Sequence, residues 1–331
     1  MSADGADALC VRMRHRNCPV CGSADDTRER FAERRTGPLR SASYASRKEP
    51  EPGNLRLVVC PGCDLLYAPC VPPRTFLASA YAGASYDSDT EARCAAASYA
   101  AAIAARLPRL ALRDSALEIG TGNGALLEAL DEMGFAEVVG FEPSAAAVAA
   151  APPATRARIR VAPFDPCALP ADLPRGHFSL LIANQTLEHV EDPLALLRAA
   201  HELLAPGGAV LIVSHNYRHW LNRLLGARSP IIDIEHLQVF SRGSLSRGLA
   251  RSGFERIEID AFANRYPLHY WLRLSPLPRA LKRPLRRWLR GDSALWGVGA
   301  RLGSIMLKAR VGNLIAWAQR PAAEPRPAGD R

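Results

Sequence analysis

From residue 113 onward, short apolar runs alternate with segments whose apolar residues recur at helical spacing. The runs predict strands at 116–120, 137–142, 158–162, 178–183, 209–214, 255–262 and 312–318. The helical segments predict helices at 124–133, 144–150, 193–204 and 242–252. Asp192-Pro193 is a good helix start, an N-cap acid followed by proline at the first helical position. Pro206-Gly207-Gly208 stops that helix and turns the chain into the next strand. Such alternation implies an α/β fold, a mostly parallel sheet with helices on both faces. Ahead of it, 76–107 reads as a helical connector rich in Ala and Tyr. Arg93 and Arg106 bracket its Ala-rich run, which is too short for a membrane helix. Residues 1–15 and the tail PAAEPRPAGDR (321–331) are expected to be disordered. The resulting division is a small module over 16–75, a connector over 76–112 and a large α/β domain over 113–320.

Composition narrows the class. The chain has 331 residues, 48% hydrophobic and 23% charged, as a soluble globular protein has. No run of about 18 uncharged apolar residues exists, so no membrane span is predicted. The opening MSADGADALCVRMRHR lacks the apolar core of a signal peptide, so a cytoplasmic location is expected. The net charge of +9 is local: residues 265–320 hold 12 Lys/Arg and one acid, Asp292. That segment is either a solvated basic surface or a patch facing an anionic partner, be it a phosphorylated substrate, a membrane surface or nucleic acid. Charge alone does not choose among them.

Four of the eight cysteines are paired as Cys18-Pro-Val-Cys21 and Cys60-Pro-Gly-Cys63. Two such knuckles can place four thiolates tetrahedrally around Zn²⁺, leaving no open position, so the metal would be structural. Neither pair opens a predicted helix after a strand, which argues against a redox role. Cys10, Cys70, Cys94 and Cys167 fit no ligand spacing and read as free thiols.

The segment LEIGTGNGALLEAL (117–130) carries a glycine-rich strand-to-helix turn. Gly120, Gly122 and Gly124 leave no side chain between backbone and ligand, and the turn aims a helix N-terminus at the site. Nicotinamide, flavin and S-adenosylmethionine (SAM) sites all use such turns. Glu118 is an awkward neighbour for a pyrophosphate but suits the ammonium of an amino-acid moiety. Glu142, ending the second predicted strand, is placed to accept hydrogen bonds from two ribose hydroxyls of either cofactor type.

With FSLLIANQTLEHVEDP (178–193), LLAPGGAVLIVSHN (203–216) and EHLQVFSRGSLSRGLARSGF (235–254) following in order, the chain resembles the class I SAM-dependent methyltransferases over roughly 113–262. The resemblance implies a Rossmann-like seven-stranded sheet with an antiparallel last strand, and SAM as cofactor. It implies that Glu118 meets the methionine amino group, that the three glycines line methionine and ribose, and that Glu142 holds the ribose. It places Asp165 near adenine, and Asn184 and Gln185 near the cofactor. With the module ahead of it, and CPGCDLLY at 60–67, the chain resembles more narrowly the deoxysugar C-methyltransferases that act on nucleotide sugars. Zinc-ribbon RNA-binding proteins and RNA methyltransferases are the alternative. Against RNA, the module has no stripe of aromatics interleaved with Lys/Arg, so a nucleic-acid partner is not expected.

Methyl transfer must align acceptor, methyl and sulfur and often remove a proton. His189, in LEHV, and the Glu235-His236 pair are the candidates, with a loop-fixing role the alternative for His189. In the sugar C-methyltransferases a tyrosine stands three residues before this His. Here that position is Asp233, and a His/Glu pair without Tyr suits O-methylation of a hydroxyl equally well. His215, Asn216 and Tyr217 follow the fifth strand and are candidates for the acceptor pocket. The expected acceptor is a sugar or glycan precursor, nucleotide- or lipid-linked. Between the last two strands, 265–311 interleaves Trp271, Trp288 and Trp296 with arginines, and prolines 276, 278 and 284 break it into short helices. It is either a helical pair with a solvated basic edge or a face for peripheral membrane association.

Overall fold

A computed structural model describes residues 12–35, 37, 39, 44, 53–86, 89–110, 112–275, 277, 279–290 and 301–322. The expectations for 1–11, Cys10, Pro276, Pro278, Trp296 and 323–331 lie outside the described residues. Five short strands come first: β1 (Arg14–His15), β2 (Glu29–Phe31), β3 (Leu57–Val59), β4 (Leu66–Tyr67) and β5 (Cys70–Val71). Disorder was expected through residue 15, yet β1 pairs antiparallel with β5. Cys18 is drawn to Cys63, which lays the chain before one against the chain after the other. Helices α1 (Arg74–Ala82) and α2 (Asp89–Ala104) form the connector.

The large domain then runs β6 (Ser115–Ile119), α3 (Ala125–Glu132), β7 (Glu137–Glu142), α4 (Ala145–Ala149), α5 (Pro153–Arg156), β8 (Ile159–Val161), β9 (Phe178–Asn184), α6 (Pro193–Leu203), β10 (Leu204–His215), α7 (Trp220–Leu225), β11 (Gln238–Val239), α8 (Arg242–Arg251), β12 (Glu255–Pro267), α9 (Leu268–Leu274), α10 (Arg279–Arg290) and β13 (Met306–Gln319). Its seven-stranded sheet has the order β12-β13-β10-β9-β6-β7-β8. β13 is antiparallel to both neighbours; the other pairings are parallel. The strand order reverses between β6 and β9, and ligands of open α/β sheets bind outside the carboxyl ends at such a point.

Side chains alternate across the sheet with a period of two. Leu117, Leu181, Val210 and Ala316 face one core with α6 and α8, while Ala116, Leu180, Leu211 and Ile315 face the other with α2 and α3. The Asp192 carboxylate caps α6 by accepting from the Ala195 N–H at 2.9 Å. Cys18, Cys60 and Cys63 belong to the first core, beside Phe240, Leu245 and Leu249. The small module is thus built into one face of the sheet. β11, from the large domain, pairs with β4 and extends the sheet of β4, β3 and β2.

β12 and β13 run past the bounds expected from hydrophobicity. Arg265↔Lys308, Tyr266↔Leu307 and Pro267↔Met306 remain in antiparallel register. The ends of the 265–311 insert are therefore strand, paired through backbone despite their charge, and the helices lie between. α10 runs through Pro284, which removes a single intrahelical N–H, so that proline does not break it as expected. No helix among the described residues is long and apolar enough to cross a membrane.

Candidate functional site

Three glycines at the end of β6 all have positive φ, 79° at Gly120, 59° at Gly122 and 73° at Gly124, but they serve different neighbours. A Cβ on Gly120 would lie 2.9 Å from Thr186 Oγ1, and one on Gly124 would lie 2.5 Å from Thr155 Cγ2. Those two let chain pack on chain. A Cβ on Gly122 would meet nothing within 4 Å, so this glycine faces open space. Its N–H donates to Glu142 Oε2 at 2.8 Å, and Ser144 N–H donates to Glu142 Oε1 at 2.9 Å. The carboxylate is held with both oxygens at the end of β7.

Glu118 is buried and accepts from the Thr121 hydroxyl at 2.6 Å. Burial pushes its carboxyl up to about 7, and the nearby Glu142 adds to the shift. Burial also raises Glu142 above its ordinary value. At the end of β9, both amide atoms of Asn184 and Oε1 of Gln185 are buried without a hydrogen-bond partner. Gln185 sits at φ 52°, a conformation that costs a non-glycine residue about 1–2 kcal/mol. Buried Glu118 and half-buried Glu142, beside the Asn184 and Gln185 amides, fit a ligand that brings an ammonium and hydroxyls, as SAM does. Asp165 is turned elsewhere: its carboxylate accepts from Arg74 at 2.6 Å and from the Cys167 N–H at 2.9 Å. Its neighbour Phe164 lines the site, edge-on to Phe141 at 5.3 Å.

This edge opens into a cavity of about 740 Å³, toward the upper end of the roughly 300–1,000 Å³ typical of small-molecule sites. Its far side holds His189, His215, Asp233, Glu235 and His236. The His236 ring centre lies 4.9 Å from that of His189 and 5.1 Å from that of His215. His236 Nδ1 lies 3.0 Å from the Ile231 carbonyl, which can only accept; Nδ1 therefore carries the proton and Nε2 is free to take one. His189 Nδ1 is 3.0 Å from the Tyr81 hydroxyl and 4.0 Å from Glu235 Oε2. His215 Nδ1 faces Asn313 at 2.8 Å, and its backbone N–H donates to buried Glu188 at 2.6 Å. Burial, then repulsion from His189 and His215, holds His236 well below the ordinary histidine value. Burial, then His215, lowers His189 to about 4. Both rings are neutral at pH 7.

Sequence reasoning missed Tyr81, Asn264 and Asn313, which line the cavity from the connector, β12 and β13. Their signals are weak: a tyrosine in an Ala-rich helix, and polar residues inside apolar strands. Asn216 and Tyr217 do not line it. The Tyr217 hydroxyl donates instead to Asp64 in the small module at 2.7 Å.

The four cysteine sulfurs converge. Cys18 and Cys63 are 3.4 Å apart, Cys21 and Cys60 are 3.3 Å apart, and all four sulfurs lie within 4.8 Å of one another. A tetrahedral four-thiolate zinc with bonds of about 2.3 Å needs sulfurs about 3.8 Å apart, so the donor set fits that ion. Half-buried Arg16 ties the module to the histidine loop, donating to Ala68 O at 3.0 Å, Leu237 O at 2.8 Å and Gln238 Oε1 at 2.8 Å. Asp64 binds Arg218 and, through its carbonyl, accepts from the Ser241 hydroxyl at 2.9 Å.

A glycine turn at the strand-order switch, acids ending β6 and β7, and a seven-stranded sheet with one antiparallel strand define a class I SAM-dependent methyltransferase domain. The family model described as "Methyltransferase domain" matches residues 88–259, more than half of the chain, and the chain belongs to that family. A ubiquinone biosynthesis O-methyltransferase of Bradyrhizobium sp. (strain ORS 278) is 35% identical over 104 residues, 31% of this chain and 40% of that protein. One of Pseudomonas aeruginosa (strain LESB58) is 31% identical over 116 residues, 34% of this chain and 49% of that protein. The chain thus spans less than half the length of these curated relatives. Among solved structures, a SAM-dependent methyltransferase of Thermotoga maritima, a possible histamine N-methyltransferase, aligns with TM-score 0.44 at 18% identity, covering 69% of this chain and 91% of that one. A SAM-dependent methyltransferase of Archaeoglobus fulgidus aligns with TM-score 0.44 at 17% identity, covering 68% and 94%.

Proposed function

We propose that the protein transfers a methyl group from SAM to a hydroxyl oxygen of a small acceptor, with His236 taking the hydroxyl proton and a structural zinc held by Cys18, Cys21, Cys60 and Cys63. The observation that carries this reading is one cavity lined at one end by Gly122 and Glu142 and at the other by a neutral histidine with a free ring nitrogen. Glu118 would meet the cofactor's ammonium, Glu142 its ribose hydroxyls, and Gly122 leaves room for its methionine. Bound there, SAM supplies an electrophilic methyl carbon: the oxygen–methyl bond forms as the methyl–sulfur bond breaks, and sulfur keeps the electron pair. His236 Nε2 takes the proton the oxygen loses. Burial keeps His236 uncharged beforehand, and Ile231 O fixes its tautomer.

Asp233, Glu235, Asn264 and Asn313 offer hydrogen bonds on several sides of the cavity, which supports a polyhydroxylic acceptor such as the sugar of a nucleotide- or lipid-linked precursor. The position where the sugar C-methyltransferases carry tyrosine is Asp233, which supports oxygen over carbon as the acceptor atom. An aromatic hydroxyl is the second reading. Tyr266, Tyr270 and Trp271 wall part of the cavity, and the relatives above are named O-methyltransferases of ubiquinone biosynthesis. Turnover of labelled SAM against a sugar precursor and a catechol separates the two. His236→Gln should lower kcat by about 10²–10⁴-fold while calorimetric SAM affinity stays unchanged. Because His236 is held below its ordinary value, the acid limb of kcat/KM should fall below pH 6.5. A variant with wild-type kcat would refute the assignment of the base.

A further inference from the structure

The large apolar side chains left on the surface are concentrated. Of the eleven that stand exposed among the described residues, nine fall in two places: Trp220 and Leu224 on α7, and seven between Leu277 and Leu307 on the segment joining β12 to β13. Exposed leucines scattered singly need no cause, but a cluster does. The two places adjoin. Asn216 N–H donates to Gly312 O at 2.7 Å just ahead of α7, and a Cβ on Gly312 would lie 3.0 Å from His219 Cβ. Both also reach the cavity, which Leu221 and Leu225 line from α7 and Trp271 and Leu274 from α9.

The two segments that carry this apolar surface are predominantly basic, although Asp64 pairs with Arg218 and Glu91 with Arg273. Residues 216–232 carry three arginines and no acid, and 267–311 carry ten Lys/Arg against Asp292 alone. Arg223, Arg228, Arg287, Arg301 and Lys308 are exposed. A second copy of the same face would be repelled. Nucleic acid would be met by base-stacking rings and polar groups rather than by leucine and isoleucine. A surface that takes both apolar side chains and cations is an anionic bilayer, where the former enter the acyl boundary and the latter meet lipid phosphates.

We propose that α7 and the β12–β13 tip dock on an anionic lipid bilayer and present the cavity to it.

Flotation of the whole chain with vesicles tests this. At low salt the wild type should float with a phosphatidylglycerol–phosphatidylcholine mixture, stay behind with phosphatidylcholine alone, and be released by high salt. Each Lys or Arg near such a surface is worth about fivefold in partition. Arg287→Gln, Arg301→Gln, Lys308→Gln and Arg310→Gln together should therefore lower partition by about a hundredfold or more. Leu281→Ser with Leu285→Ser should lower it without changing the net charge. Both variants should keep wild-type SAM affinity, which shows that they fold. Wild type that fails to float with the anionic mixture, that floats equally with phosphatidylcholine, or that prefers RNA to vesicles at the same ionic strength overturns the proposal, as does a charge variant that floats unchanged. Flotation needs neither cofactor nor acceptor, so a chain that floats but transfers no methyl group would refute the function proposed above and leave the docking face standing.

Discussion

The Glu118 carboxyl ionises at about 7 rather than 4.5, because it is buried and faces Glu142. Between those values the folded chain keeps a proton that the unfolded chain has lost, so stability without cofactor falls as pH rises from about 4.5 to 7. The loss is on the order of 1–3 kcal/mol. Glu118→Gln should abolish that slope and raise the melting temperature of the cofactor-free protein at pH 8, while weakening SAM binding at least tenfold by calorimetry. A variant that binds SAM as wild type does would remove Glu118 from the site. The histidines act with the opposite sign. His189 and His236 are neutral in the fold, so the stability they allow is present above pH 6.5 and is lost as pH falls toward 4. The glycines divide similarly. Gly122→Arg should abolish SAM binding in a folded protein, because its side chain would fill open space. Gly124→Ala should instead lower the melting temperature, because its Cβ would strike Thr155. Glu118 and the glycines could be singled out in sequence because one short turn carries them, and Glu142 because it ends the next strand. The tautomer of His236 was not, because a carbonyl five residues earlier decides it.

Among elements, those with a strong periodic signal were the ones that could be read from sequence. β9, FSLLIAN, is buried at every position and stands within a residue of its predicted bounds. β11 carries no such signal: two residues, Gln238 and Val239, become a strand only because β4 offers an edge. The outer ends of β12 and β13 were hidden for a related reason, since backbone pairing there holds residues that composition assigns to a surface insert. The cysteine knuckles are legible by spacing, but their burial beneath α8 is not. That burial sets the element-scale prediction. Metal analysis should find about one zinc per chain, as a closed four-thiolate site requires. Cys18→Ser should lose it and lower the melting temperature of the large domain as well, because Cys18, Cys60 and Cys63 share a core with Leu245 and Leu249. A variant that loses metal but melts as wild type does would mean that the module is only an appendage.

In the whole molecule, the alternation of strands and helices was enough to anticipate the seven-stranded sheet, because a parallel sheet requires crossovers and crossovers impose that rhythm. It could not anticipate that the small module and the large domain share a sheet, since no periodicity records a partner about 170 residues away. Tyr67 pairs with Gln238, and only Leu237 separates that residue from His236. The arrangement has a consequence during synthesis. The cysteine segments leave the ribosome early, but the edge of β4 has no partner until residue 239 emerges. At about 5–20 residues per second, that wait is roughly 10–30 s. Unpaired strand edges invite association with other chains, and this edge is short enough, at two residues, to offer little hold in the interval. The nascent chain therefore closes its first sheet with one of its later strands, at the point in translation when the histidine loop has just been made.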